Sequence, residues 1–215
     1  MTDTQLMGLP GTLLTDDECD LFGEVVNIAM GRAGADLAEA FAGFVQLRVP
    51  EIHSVSAAAL ESARERLTRT YARISVLHQE LIGELAGDIA VIYGPASYAA
   101  LREVLGFDDR DGDGRRQREE LLLELGNALS STLIAGIGSQ LGLRAGLRPP
   151  RMALFDQPTE EVARRLFEES PAWRGETLQI AIVFHLEAHD VPFELLITLA
   201  PQCLSTIRRA LAAPR

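Results

Sequence analysis

The chain has 215 residues, 47% hydrophobic and 24% charged, enough for one domain with a sizeable core or two small ones. Its formal net charge is −11, so it gains nothing from counterion release on nucleic acid, is repelled by anionic membranes, and is better matched to a partner with a basic patch. All 20 basic residues are Arg, which excludes a P-loop lysine and a Schiff-base lysine.

In chain order, the pattern predicts a helix over 15–44, with Asp16 and Asp17 suiting its start and Leu21, Val25 and Ile28 on its buried face. Pro50 ends it, an extended run covers 52–57, and a short charged helix covers 58–70. Alternation over 74–81, a turn over 83–87 and an apolar run over 88–93 predict a hairpin, after which Pro95 opens a helix to 105. An acidic, Gly-rich linker over 107–114 follows. The same order then returns: helix 118–141, strand 152–155, helix 159–169, hairpin strands 178–187 and 193–199, and a last helix 201–212. Ile89-Ala90-Val91-Ile92 and Leu195-Leu196-Ile197 are apolar throughout, so both faces of a central antiparallel sheet are expected to be covered by flanking helices.

The order returns because the sequence repeats. At an offset of 100, Leu21 meets Leu121, Glu24 meets Glu124, Asn27 meets Asn127 and Pro50 meets Pro150. After Tyr71 the offset is read as 106, where Gly94-Pro95 meets Ala200-Pro201. The expectation is an α/β (α+β) fold: one domain over 1–215, made of two repeats over about 12–106 and 115–212, their hairpins joined in one pseudo-two-fold sheet.

On the first helix Asp20, Glu24 and Asn27 stand at i, i+4 and i+7 and share a face that Gly31 continues without a side chain, open to a partner's backbone. The second helix carries Glu120, Glu124, Asn127 and Ser131 at the same places. One such face is usually a solvated surface. Its recurrence, each time followed by a proline after a gap of 22 residues, gives it weight, although duplication could also keep these residues for capping or solubility.

The pattern Asp20, Glu24, Asn27, Pro50 resembles the Asp/Ser-x3-Glu-x2-Asn-x22-Pro signature of the CheC, CheX and FliY phosphatases, and Glu124, Asn127, Pro150 match it again with Glu120 in place of Asp or Ser. Two Glu/Asn pairs resemble two-site CheC. The resemblance implies a CheC-like fold and an enzyme that hydrolyses the aspartyl phosphate of a CheY-type response regulator in chemotaxis. It implies that Asn27 and Asn127 orient the attacking water, that Glu24 and Glu124 dock the regulator's lysine, and that magnesium is carried by the phosphorylated partner. Asp20 is read either as a helper at the interface edge or as an acid on the helix dipole. Asp20, Gly31, Glu120 and Ser131 are expected to border the partner. The deamidase CheD is a second partner that the resemblance implies. The alternative is a non-catalytic module of the same fold that sequesters a receiver domain or CheD. A monomer is favoured, since the second repeat fills the surface through which a single copy would pair.

Other constellations compete with this reading. Asp109, Asp111, Asp113, Gly114 and Glu120 satisfy the spacing of an EF-hand calcium loop, against which stand Arg115, Arg116 and Arg118 and the missing second loop; the bland reading is an acidic linker, and the remaining alternative is a calcium-responsive adaptor. His185, Glu187 and His189 share one face of a strand, without zinc-protease spacing. His78 is read as packing near the pseudo-two-fold axis, His53 as uninformative and Trp173 as an anchor for the second short helix. No metal ligand is assigned. Cys19 and Cys203 form no CxxC pair and read as reduced thiols. The start lacks a secretory pattern, and no uninterrupted apolar run reaches the roughly 20 residues of a membrane helix, so a cytoplasmic location is expected.

Overall fold

The computed structural model describes residues 14–40, 45–48, 50–54, 57–105, 114–164, 177–186 and 191–213. The elements are α1 (Asp16–Ala40), β1 (Val45–Leu47), β2 (Glu51–Ser54), α2 (Ala57–Thr70), β3 (Arg73–Gly83), β4 (Gly87–Tyr93) and α3 (Pro95–Leu105), then α4 (Gly114–Leu141), β5 (Ala145–Leu147), β6 (Arg151–Pro158), α5 (Thr159–Arg164), β7 (Leu178–Leu186), β8 (Val191–Leu199) and α6 (Pro201–Leu211). The expected helices and hairpins are present. β1 and β5, three residues each, carry too short a pattern to be read from sequence. Trp173, Glu187, His189 and the linker up to Asp113 lie outside the described residues.

All strand pairings are antiparallel, and the sheet runs β1-β7-β8-β4-β3-β5, with β2 also on β7 and β6 also on β3. Exchanging β1–β4 with β5–β8 leaves this order unchanged. The edge strands cross over: β1 and β2 pair with β7, while β5 and β6 pair with β3. At the centre Ala90 faces Leu196, and the flanking pairs Gly87–Leu199 and Tyr93–Phe193 are equally distant from it. The offset between β4 and β8 is therefore 106. Over β3 and β7 it is different. Gln79 faces Ile89 and Ile182 faces Leu195, the equivalent of Ile89, so the hairpin registers make Gln79 the equivalent of Ile182, an offset of 103. The single offset of 106 read for everything after Tyr71 is corrected accordingly. His78, opposite Ala90, is bonded through Nε2 to Asp88 Oδ1 at 2.7 Å.

β4 and β8 are buried on both faces, as their apolar runs require. One face carries the main core, built from α1, α4, α6 and the strands, with Phe22, Val25, Val26, Ile89, Leu133, Phe193 and Ile207 among its residues. A smaller core of Leu67, Tyr71, Ile74, Val76, Ile92, Val162 and Leu196 lies on the other face beneath α2 and α5. By length and composition α4 could cross a membrane, but 61% of its most apolar window is buried inside the protein, which makes it the central core helix. Two glycines set its depth. A Cβ at Gly136 would come within 2.9 Å of the Ala29 Cβ, and one at Gly126 within 2.5 Å of Leu77 and 2.7 Å of the Tyr93 hydroxyl. These bare positions let α4 press against α1 and against the sheet.

Candidate functional site

α1 starts with a reciprocal cap. Thr15 N–H donates to Glu18 Oε2 at 2.8 Å, and Glu18 N–H donates to Thr15 Oγ1 at 3.2 Å. The Thr15 amide, with Arg208 in support, holds the Glu18 carboxyl below its ordinary value of 4.5. Thr15 and Glu18 thus serve the helix start that was read from Asp16 and Asp17.

Asp20, Glu24, Asn27 and Gly31 are all exposed on one face of α1. The face behind them is not the one expected. Leu21 is 46% exposed and Ile28 42%, whereas Phe22, Val25, Val26, Ala29, Met30 and Ala33 form the buried stripe. At about 100° per residue Leu21 and Ile28 stand only about 60° and 40° from Glu24, so they flank the polar face, and the direction opposite it belongs to Phe22. The result is a Glu/Asn pair with an apolar margin in solvent.

Asp20, Glu24, Asn27 and Pro50 line a single groove of about 490 Å³, together with Cys19, Leu21, Gly23 and Ile52. All four signature positions of the first copy meet there. Pro50, expected simply to turn the chain, is also a wall of the groove. Burial and the neighbouring carboxylates Asp16, Asp20 and Glu18 push the Cys19 thiol up, away from thiolate chemistry.

On α4, Glu120, Glu124, Asn127 and Ser131 are exposed as well. Asn127, Ser131 and Pro150 line a second groove of about 510 Å³ with Arg148 and Gly146. Glu124 stands on the same helix outside that lining, and Glu120 is held by Arg116 at 3.0 Å. Residues 114–120, the second part of the EF-hand spacing, are helical, with Arg115 over the Phe155 ring and Arg118 over Tyr98.

The two asparagines differ in what holds them. Gln79, fully buried on β3, donates from Nε2 to Asn127 Oδ1 at 2.9 Å and to Arg148 O at 3.2 Å. Its own Oε1 is buried without a partner among the described residues. Asn27 has no such hydrogen bond among the described residues, and the equivalent of Gln79 is the apolar, fully buried Ile182. The pairing of Gln79 with Asn127 was not legible in the sequence, because a contact between a strand and a helix 48 residues apart leaves no local pattern.

A further cavity of about 690 Å³ lies elsewhere, lined by Arg48, Arg66, Tyr71, Ser97, His185 and Glu194 among others. Arg66 is paired with the buried Glu194 there. None of the Glu/Asn positions lines it.

No family model matches the chain, and no curated protein does. Solved structures do. FliY of Thermotoga maritima is 14% identical with a TM-score of 0.63, covering 92% of this chain and 97% of its own. A chain of the CheX-CheY-BeF3-Mg complex of Borrelia burgdorferi is 13% identical with a TM-score of 0.54, covering 81% and 97%. The FliM middle domain of H. pylori is 8% identical with a TM-score of 0.55, covering 92% and 99%. At these identities the likeness establishes a common fold.

Proposed function

We propose that this chain, which has the fold of the CheC, CheX and FliY proteins, belongs with them and is a phosphatase for the aspartyl phosphate of a CheY-type receiver domain, built as one domain of two repeats. The observation that carries the reading is the first groove, where Asp20, Glu24, Asn27 and Pro50 come together from α1 and the turn before β2. The fold alone does not choose a function, since the FliM middle domain shares it, so the reading rests on these side chains. The CheX-CheY-BeF3-Mg complex supports a receiver domain as the partner.

An aspartyl phosphate is already activated, and its receiver brings the magnesium. What is missing is a water held in line with the scissile bond, and phosphoryl transfer depends mainly on such positioning. The Asn27 or Asn127 carboxamide, exposed at its groove, accepts a hydrogen bond from that water through Oδ1. The water oxygen forms its bond to phosphorus as the bond from phosphorus to the aspartyl oxygen breaks. The products are a free carboxylate and inorganic phosphate. Glu24 and Glu124 meet a lysine of the receiver and fix the register of docking, in keeping with the net charge of −11.

The test is a division of labour. Glu24→Ala, in an Asn127→Ala background, is expected to raise KM by at least about tenfold, or about 1.4 kcal/mol, with kcat little changed. Asn27→Ala in the same background is expected to abolish kcat while the receiver still binds. Equal loss of binding in both variants would refute these roles.

A further inference from the structure

The two grooves, read as above to be phosphatase sites, are built differently beneath their asparagines, and we infer that Gln79 is the positioning residue that pre-orders Asn127 and makes the second groove the rigid one of the pair. Gln79 joins both walls of that groove: its Nε2 reaches Asn127 Oδ1 on α4 at 2.9 Å and Arg148 O, just before Pro150, at 3.2 Å. The Arg148 carbonyl can only accept, which fixes Nε2 as the amide end that faces the groove. Asn127 Oδ1 keeps its second lone pair for water, and the Asn127 amide hydrogens point away from Gln79.

The arrangement depends on features that the first groove lacks. Gly126 has no side chain between α4 and the sheet, where a Cβ would strike Leu77 and Tyr93, so the helix sits deep enough for Gln79 to reach Asn127. The first repeat has Val26 at that place, fully buried, and Ile182 where Gln79 would be. Ile182 has no polar atom in its side chain and cannot supply Asn27 with the hydrogen bond that Gln79 gives Asn127.

The tether carries a cost to the fold. Gln79 is fully buried, and its Oε1 has no hydrogen-bond partner among the described residues. A buried unsatisfied acceptor destabilises a protein, and an apolar side chain of equal length would remove that penalty. A residue present only for packing should not carry it. Docking is the task of Glu124, whereas the exact placement of the Asn127 carboxamide on the water is demanded only in the transition state, so the effect of the tether belongs in kcat and not in docking.

The test uses Gln79→Met, which keeps length and removes both donors, in an Asn27→Ala background so that only the second groove turns over. Expected are a fall of about three- to tenfold in kcat, an unchanged KM for the phosphorylated receiver, and a melting temperature that stays level or rises. In parallel, in proteins that keep Asn27, the side-chain amide resonances of Asn127, observed by 15N relaxation without any receiver, are expected to be ordered in the wild type and to become as mobile as those of Asn27 once Gln79 is Met. An unchanged kcat overturns the inference. So does a kcat loss that follows a drop in melting temperature, or an Asn127 amide as mobile as Asn27 in the wild type. If no receiver is dephosphorylated at all, the phosphatase reading falls, and the relaxation measurement still decides whether Gln79 orders Asn127.

Discussion

Gly31 separates binding from folding more cleanly than any charged position of the site. It is exposed in the middle of α1, and nothing lies within 4 Å of where its Cβ would stand. Glycine in a helix interior costs roughly 0.5–1 kcal/mol against alanine, so Gly31→Ala is expected to raise stability by about that amount. Gly31→Trp starts from the same open Cβ position and would put an indole in front of a docking partner. We expect Gly31→Trp to fold with a melting temperature no lower than that of the wild type and to weaken receiver binding at the first groove, as read by titration of receiver onto the Asn127→Ala protein. Undisturbed binding would place the partner elsewhere. The polar residues of this face were legible because i, i+4, i+7 spacing fixes a helix face. Leu21 and Ile28 were misread because an apolar residue 40–60° from a polar face looks buried on paper, and whether it is depends on what the neighbouring elements cover.

At the scale of the element, α1 is held at its start by the Thr15–Glu18 cap and by Arg208 of α6, which donates to Glu18 Oε1 at 2.8 Å. Because the folded-state pKa of Glu18 is depressed, its contribution to stability is full above the unfolded value, near 4.5, and is lost as pH falls through the lower folded value. Thr15→Ala is expected to cost about 1 kcal/mol at neutral pH. The stability gap between wild type and Glu18→Gln, read from urea midpoints, is expected to shrink as pH drops below about 4.5; a gap that widens in acid would contradict the cap. The sequence shows helix and hairpin existence well, since long periodic patterns and Gly/Pro punctuation carry them. Gly87, at φ 155° with Thr198 O within 2.0 Å of a would-be Cβ, is such punctuation, and no other residue fits there. The three-residue strands β1 and β5 were beyond reach, because they are defined by their partners β7 and β3 and not by a pattern of their own.

Across the whole molecule, strand order and central register treat the two halves alike, while the site residues do not. β4 and β8 meet about Ala90 and Leu196, and each half lends its edge strands to the other's hairpin, so neither half buries its sheet alone. Among the described residues the two grooves share no lining side chain, so a substitution in one can be tested without touching the other. Their floors have diverged, with Gln79 under Asn127 and Ile182 at the corresponding place in the other half. The measurement that bears most directly on the account is the decay of phosphate on a CheY-type receiver in the presence of catalytic amounts of this chain, of Asn27→Ala, of Asn127→Ala and of the double variant. The account predicts accelerated decay with many turnovers per chain, a partial rate in each single variant, and none in the double. Decay that the wild type does not accelerate, or that the double variant still accelerates, would contradict it.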